Sequence, residues 1–131
     1  MKILGQELLL VVDMLNDYIR QGGAFDCGQT ARAIVPFVLE KIEEFMKSGL
    51  PIIFLNDAHD PQDLEFRQLP RHCVFGTDGA KIIQEVEGLL GEYSFCIKVP
   101  KSSNNGFFRT DLNNILKDLR PSKIDVVGVC T

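Results

Sequence analysis

The chain has 131 residues, 45% of them hydrophobic, with 14 lysines and arginines against 18 aspartates and glutamates. Residues 1–131 therefore read as one domain with an ample core, and the mildly acidic balance offers no footprint for nucleic acid. No apolar run approaches the roughly 20 residues that span a bilayer, and no basic segment, apolar stretch and small-residue cleavage site open the chain. A cytoplasmic protein is expected, with neither nucleic acid nor membrane as partner. Cys27, Cys73, Cys96 and Cys130 lie far apart without a C-x-x-C pair, which points to free thiols.

In chain order, "ELLLVV" over 7–12 is a continuous apolar run of strand length, followed at once by Asp13. After the glycine-rich "RQGGAFDCGQT", Ile34, Phe37, Val38, Ile42, Phe45 and Met46 recur at helical spacing up to Ser48-Gly49, with Pro36 near the first turns. "PIIFLND" is a second strand, ending in Asp57. The run "FGTDGAK" before Ile82 lacks the G-K-[ST] of a phosphate loop and reads as a capped helix start. "SFCIKV" is a third strand, stopping before Pro100-Lys101. "RTDLNNILKDLRP" carries Thr110 as cap, apolar Leu112, Ile115, Leu116 and Leu119, and Pro121 as terminator. "KIDVVGV" is a fourth strand.

Strands alternating with helices predict a three-layer α/β/α fold, a parallel sheet with helices on both faces, whose ligands bind beyond the carboxyl ends of the strands. Asp13, Asp57, Lys101 and Cys130 all fall at or just past such ends, so one pocket can gather all four. Each also has a plain reading: an aspartate after a strand is often a turn former, and a lysine is ordinarily solvated. A buried Asp–Lys pair would answer both. The window "DAHDPQDLEFRQLPRH" holds both histidines of the chain, His59 and His72, among Asp57 and Glu65, with Asp60 and Asp63 as spare carboxylates. Imidazoles with carboxylates suit one divalent metal ion, Zn first, with Mn or Fe next. Cys27, Cys73 and Cys96 read as packing or loop thiols, and one of Phe107 and Phe108 as core.

Taken together, "VVDMLNDY", "NDAHD", "PRHCVFGTDGA", "KSSNNGFFRTDL" and "DVVGVCT" resemble, in order and spacing, the cysteine hydrolase superfamily of nicotinamidases and isochorismatases. The resemblance covers nearly the whole chain and is nearest to the nicotinamidase branch. It implies an isochorismatase-like hydrolase fold and a catalytic triad of Asp13, Lys101 and a cysteine. The family's cysteine motif is G-x-x-T-D-x-C, of which "GVCT" supplies the first four positions. The nucleophile would then lie three residues beyond Thr131, the domain would be C-terminally incomplete, and the 131-residue form would be inactive.

Cys130 matches the residue before the threonine, where a cis Val129–Cys130 peptide would help form the oxyanion hole. The resemblance further implies Asp57, His59 and His72 as metal ligands, with Glu65 at a variable position, and Tyr18, Leu69 and Phe108 as the ring pocket. Leu69 stands where many nicotinamidases carry tryptophan. The implied activity is metal-dependent hydrolysis of a small nicotinamide-like carboxamide to acid and ammonia through a thioester, in NAD metabolism, by a homo-oligomer. The alternatives are a metal-free vinyl-ether hydrolase of isochorismatase type and a non-catalytic member that binds metal or a partner.

Overall fold

The computed structural model describes residues 5–130. Four six-residue runs pair through parallel ladders: β1 (Glu7–Val12), β2 (Ile52–Asp57), β3 (Cys96–Lys101) and β4 (Lys123–Gly128), in the order β3-β2-β1-β4. Alternation along each strand divides its side chains between two cores. Leu9, Val11, Ile52 and Phe54 face one side, where they meet α1 (Asn16–Ile19), α2 (Gln29–Ala33), α3 (Val35–Lys47) and α4 (Gln84–Leu90). Leu8, Val12, Ile53 and Leu55 face the other, under α5 (Leu112–Leu119). Helices cover both faces, the expected α/β/α arrangement. Phe54, Ile52 and Ile53 are fully buried, each contributing roughly 1.5–3 kcal/mol. Among the described residues no helix is long and apolar enough to cross a membrane.

The chain runs outward from β1 through β2 to β3, then crosses back to β4 on the far side of β1. That reversal opens a crevice at the carboxyl ends of β1 and β4, where open α/β sheets bind ligands.

Several local expectations are corrected. β3 runs two residues further than "SFCIKV" suggests and includes Pro100 and Lys101. Proline is tolerated there because β3 is an edge strand and needs no donor on its open side. The residue flanking α5 is Asp111; Thr110 sits one position earlier, its hydroxyl accepting from Leu112 N–H at 3.3 Å. "FGTDGAK" holds only a 3-10 turn, Asp78–Ala80, and the Thr77 hydroxyl donates back to Val74 instead of capping it. Phe107 and Phe108 are both about half exposed, because no element covers the loop between β3 and α5. On β4, Ile124 and Val126 are also exposed.

Candidate active site

Asp13 follows β1 directly in the left-handed region, φ 55°, a conformation aspartate tolerates better than most residues. The turn throws its carboxylate across β2. Its N–H donates to the Leu55 carbonyl at 3.1 Å, and its Oδ1 accepts from Asp57 N–H at 2.8 Å, so the side chain continues the ladder where the backbone has left it. Asp57 and Lys101 are register partners on β2 and β3, which sets their side chains next to each other. Lys101 Nζ lies 2.6 Å from Asp57 Oδ1 and 3.1 Å from Asp13 Oδ2, and all three residues are buried. The Tyr18 hydroxyl donates to Asp57 Oδ2 at 2.5 Å.

This cluster holds two carboxylates against one ammonium. Burial, then repulsion from Asp57, outweighs the attraction of Lys101 and raises the Asp13 pKa to about 6. Burial alone would lower the Lys101 pKa, yet Asp13 and Asp57 together overcome it and the net direction is upward. A carboxylate poised near 6 beside a firmly charged lysine can take and return a proton close to neutrality. Burial, followed by the hydrogen bond to Asp57, pushes the Tyr18 phenol upward, so it stays a neutral donor.

The two imidazoles adjoin this cluster. His59 lies at the end of the "NDAHD" segment, held by backbone bonds from its N–H to the Cys73 carbonyl and from Phe75 N–H to its own carbonyl, both 2.8 Å. These draw His72 close, with ring centroids 4.9 Å apart. His59 Nδ1 meets Asp63 Oδ2 at 3.0 Å, and His72 Nδ1 meets the Pro70 carbonyl at 2.6 Å. With a proton on each Nδ1, both Nε2 atoms carry lone pairs, the arrangement of metal-binding histidines. His59 Nε2 is buried without a hydrogen-bond partner, 3.7 Å from Asp57 Oδ2 and 3.4 Å from Glu65 Oε2. An orphaned buried nitrogen among carboxylate oxygens fits a divalent cation. Asp57, His59 and His72 offer ligand atoms within 4.8 Å of one another, and His59, Asp63 and Glu65 form an overlapping second group. Glu65 thus gathers with Asp63, not with His72.

Asp57 belongs to both halves of the site: the strand ends set it in one pocket with Asp13 and Lys101, and the structure adds its direct contact with Lys101. Three further contributors escaped the sequence reading. Phe25 and Phe66 pack on His72 at 4.7 and 5.5 Å between centroids, with Tyr18 at 5.5 Å. Asp17 Oδ2 accepts from Cys73 N–H at 2.8 Å and so secures the backbone next to His72. An aromatic in "GGAFD" and a second carboxylate in "DMLND" were the available signals. Leu69 and Phe108 are 38% and 49% exposed, and the Tyr18 hydroxyl is committed to Asp57.

At the end of β4, Val129 N–H donates to the Val12 carbonyl at 3.0 Å, and Cys130 adopts φ 58°. The described peptide bonds are all trans, so the expected cis Val129–Cys130 bond is not found. A non-proline cis peptide costs several kcal/mol and needs dense surroundings to hold it; Cys130 is exposed. Thr131 lies outside the described residues. Although Cys130 as a residue is exposed, partial desolvation of its sulfur, then Cys27, pushes the thiol up to about 12, and burial raises Cys73 and Cys27 as well. No described thiol has the lowered pKa of an activated nucleophile.

The family model of the isochorismatase domain matches residues 7–131. The chain belongs to the isochorismatase family. It is 30% identical to a protein of Arabidopsis thaliana named a probable inactive nicotinamidase, over 94% of this chain and 65% of that one. The N-carbamoylsarcosine amidase of Thermoplasma acidophilum superimposes with a TM-score of 0.81 at 32% identity, over 94% of this isochorismatase-family chain and 67% of the other. The pyrazinamidase of Pyrococcus horikoshii, solved in complex with zinc, gives a TM-score of 0.81 at 30% identity, over 95% and 70%. The chain spans about two thirds of the length of these relatives.

Proposed function

We propose that this chain carries the base, the lysine and the metal-holding residues of a metal-dependent amidohydrolase. Its substrate is a small carboxamide of the nicotinamide class, hydrolysed to acid and ammonia through a cysteine thioester. The observation that carries the reading is the buried Asp13–Lys101–Asp57 cluster, with the orphaned His59 Nε2 at 3.7 Å from Asp57. Relatives named as amidases, one of them solved with zinc, support the same chemistry.

In this reading Asp13 takes the proton of the nucleophilic thiol, and the Lys101 cation stabilises the thiolate. The thiolate adds to the amide carbonyl, and backbone N–H groups at the end of β4 hold the resulting oxyanion. Asp13 then returns its proton to the departing ammonia; water, deprotonated by Asp13, releases the acid and regenerates the thiol. Asp57, His59 and His72 would hold the zinc ion, Asp63 would orient His59, and the bound ion would supply positive charge that orients the substrate. Tyr18 fixes Asp57.

In this reading the nucleophile is the cysteine of the family's G-x-x-T-D-x-C motif, whereas the Cys130 sulfur faces Cys27 at 3.9 Å. That placement also favours the second reading for the 131-residue polypeptide by itself, a non-catalytic metal binder. Ammonia release separates the two. A chain extended through a T-D-x-C segment should release ammonia from nicotinamide, and lose at least about 100-fold on Asp13→Asn. The 131-residue chain should stay at background. Turnover by the short form that is abolished by Cys130→Ala would instead make Cys130 the nucleophile.

A further inference from the structure

The Sγ atoms of Cys27 and Cys130 lie 3.9 Å apart, from residues 103 positions distant in the chain. Neither thiol has a part in the reaction above. Cys27 sits in the loop between α1 and α2, its N–H bonded to the Tyr18 carbonyl at 2.9 Å. Cys130 follows Val129, which is bonded to the carbonyl of Val12, the residue before Asp13. The two sulfurs therefore bridge the loop that carries Phe25 against His72 and the end of the strand beside Asp13.

We propose that Cys27 and Cys130 are a redox-sensitive pair that closes to an intramolecular disulfide and clamps the α1–α2 loop onto the end of β4. Joining them to a bond length of about 2 Å needs a similar displacement of the sulfurs. Gly28, at φ 91°, adjoins Cys27 and gives the loop room to move, and the exposed Cys130 admits an oxidant. Cys27 Sγ also reaches the Phe25 carbonyl at 3.5 Å, as Cys73 Sγ reaches that of Gly79 and Cys96 Sγ that of Tyr93; what sets Cys27 and Cys130 apart is their sulfur–sulfur contact.

The oxidant is a low-molecular-weight disulfide such as glutathione disulfide. One cysteine thiolate attacks it, forming a mixed disulfide and expelling one glutathione thiolate. The second cysteine displaces the other glutathione. The protein loses two electrons and two protons, and one glutathione disulfide becomes two thiols. The bond does not depend on the amidohydrolase reading.

The test is to incubate the purified protein with glutathione disulfide, quench with acid and map the cysteines by mass spectrometry under non-reducing conditions. The expected result is a monomer lacking two hydrogens, with the Cys27 and Cys130 peptides linked, Cys73 and Cys96 free, and full reversal by dithiothreitol. Amide exchange in residues 21–28 should slow by about tenfold in the oxidised form. In Cys27→Ser, Cys130 should instead retain a glutathione. Stable glutathione on both cysteines, disulfide-linked dimers, or four thiols surviving the treatment would each overturn the pair. Linkage without slower exchange would overturn the clamp.

Discussion

Lys101 Nζ stands 3.1 Å from Asp13 Oδ2, an ion pair between two buried side chains 88 residues apart in sequence. Removing one partner of such a pair leaves the other charge buried and uncompensated. Lys101→Met leaves Asp13 and Asp57 facing each other without a cation and should cost about 3–5 kcal/mol in urea unfolding. Adding Asp13→Asn takes away one of the stranded charges, so the double variant should be more stable than Lys101→Met alone. A loss below about 1 kcal/mol for Lys101→Met, the range of surface pairs, would show that water screens the cluster.

The raised Asp13 pKa sets a pH dependence. The folded protein binds the Asp13 proton more tightly than the unfolded chain, whose carboxyl titrates near 3.8. This contribution to stability is greatest below that value and is lost as pH rises through about 6. The shift of roughly 2 units corresponds to about 3 kcal/mol. Metal-free wild type should therefore lose stability relative to Asp13→Asn between about pH 4 and pH 6. A difference that stays constant across that interval would contradict the raised pKa.

Asp63 orients His59 through Nδ1 at 3.0 Å without needing to touch an ion itself. Asp63→Ala should lower zinc affinity by about 10–100-fold while leaving one site per chain, as loss of a carboxylate behind a histidine does. Competition titration with a chromophoric chelator reads this directly. Affinity unchanged within error would reduce Asp63 to a turn residue.

Gly128 has φ 129°, and a Cβ there would overlap the carbonyl of Val12 on the neighbouring strand. Gly128→Ala combines a strained backbone with a collision at the β1–β4 ladder, and should destabilise the fold by about 1–3 kcal/mol or more. A thermal midpoint equal to wild type would contradict the register of β4 against β1.

β1 and β2 were legible because each opens as an unbroken apolar run, the pattern of burial on both faces, and Asp13 and Asp57 follow from where those runs stop. What the sequence could not disclose is alignment between strands. The strand ends put Asp57 in one pocket with Lys101, but only the β2–β3 register makes the two direct neighbours. Likewise, the end of β3 was misread at Pro100, since nothing local says that β3 lies at an edge. The short helices α1 and α2 have too few turns to display a period. Asp63 was a spare carboxylate until the 3-10 turn at Leu64–Arg67 set it against His59. Phe25 and Phe66 reach His72 only through loop folding that hydrophobic pattern does not encode.

The central claim is that the orphaned His59 Nε2, His72 and Asp57 form a metal centre joined to the Asp13–Lys101 pair. Calorimetric titration of zinc into chelator-stripped protein tests it most directly, alongside His59→Ala and His72→Ala variants checked for native circular dichroism. The account predicts uptake of one ion per wild-type chain and none by either folded variant. No uptake by wild type, or equal uptake by all three proteins, would contradict it.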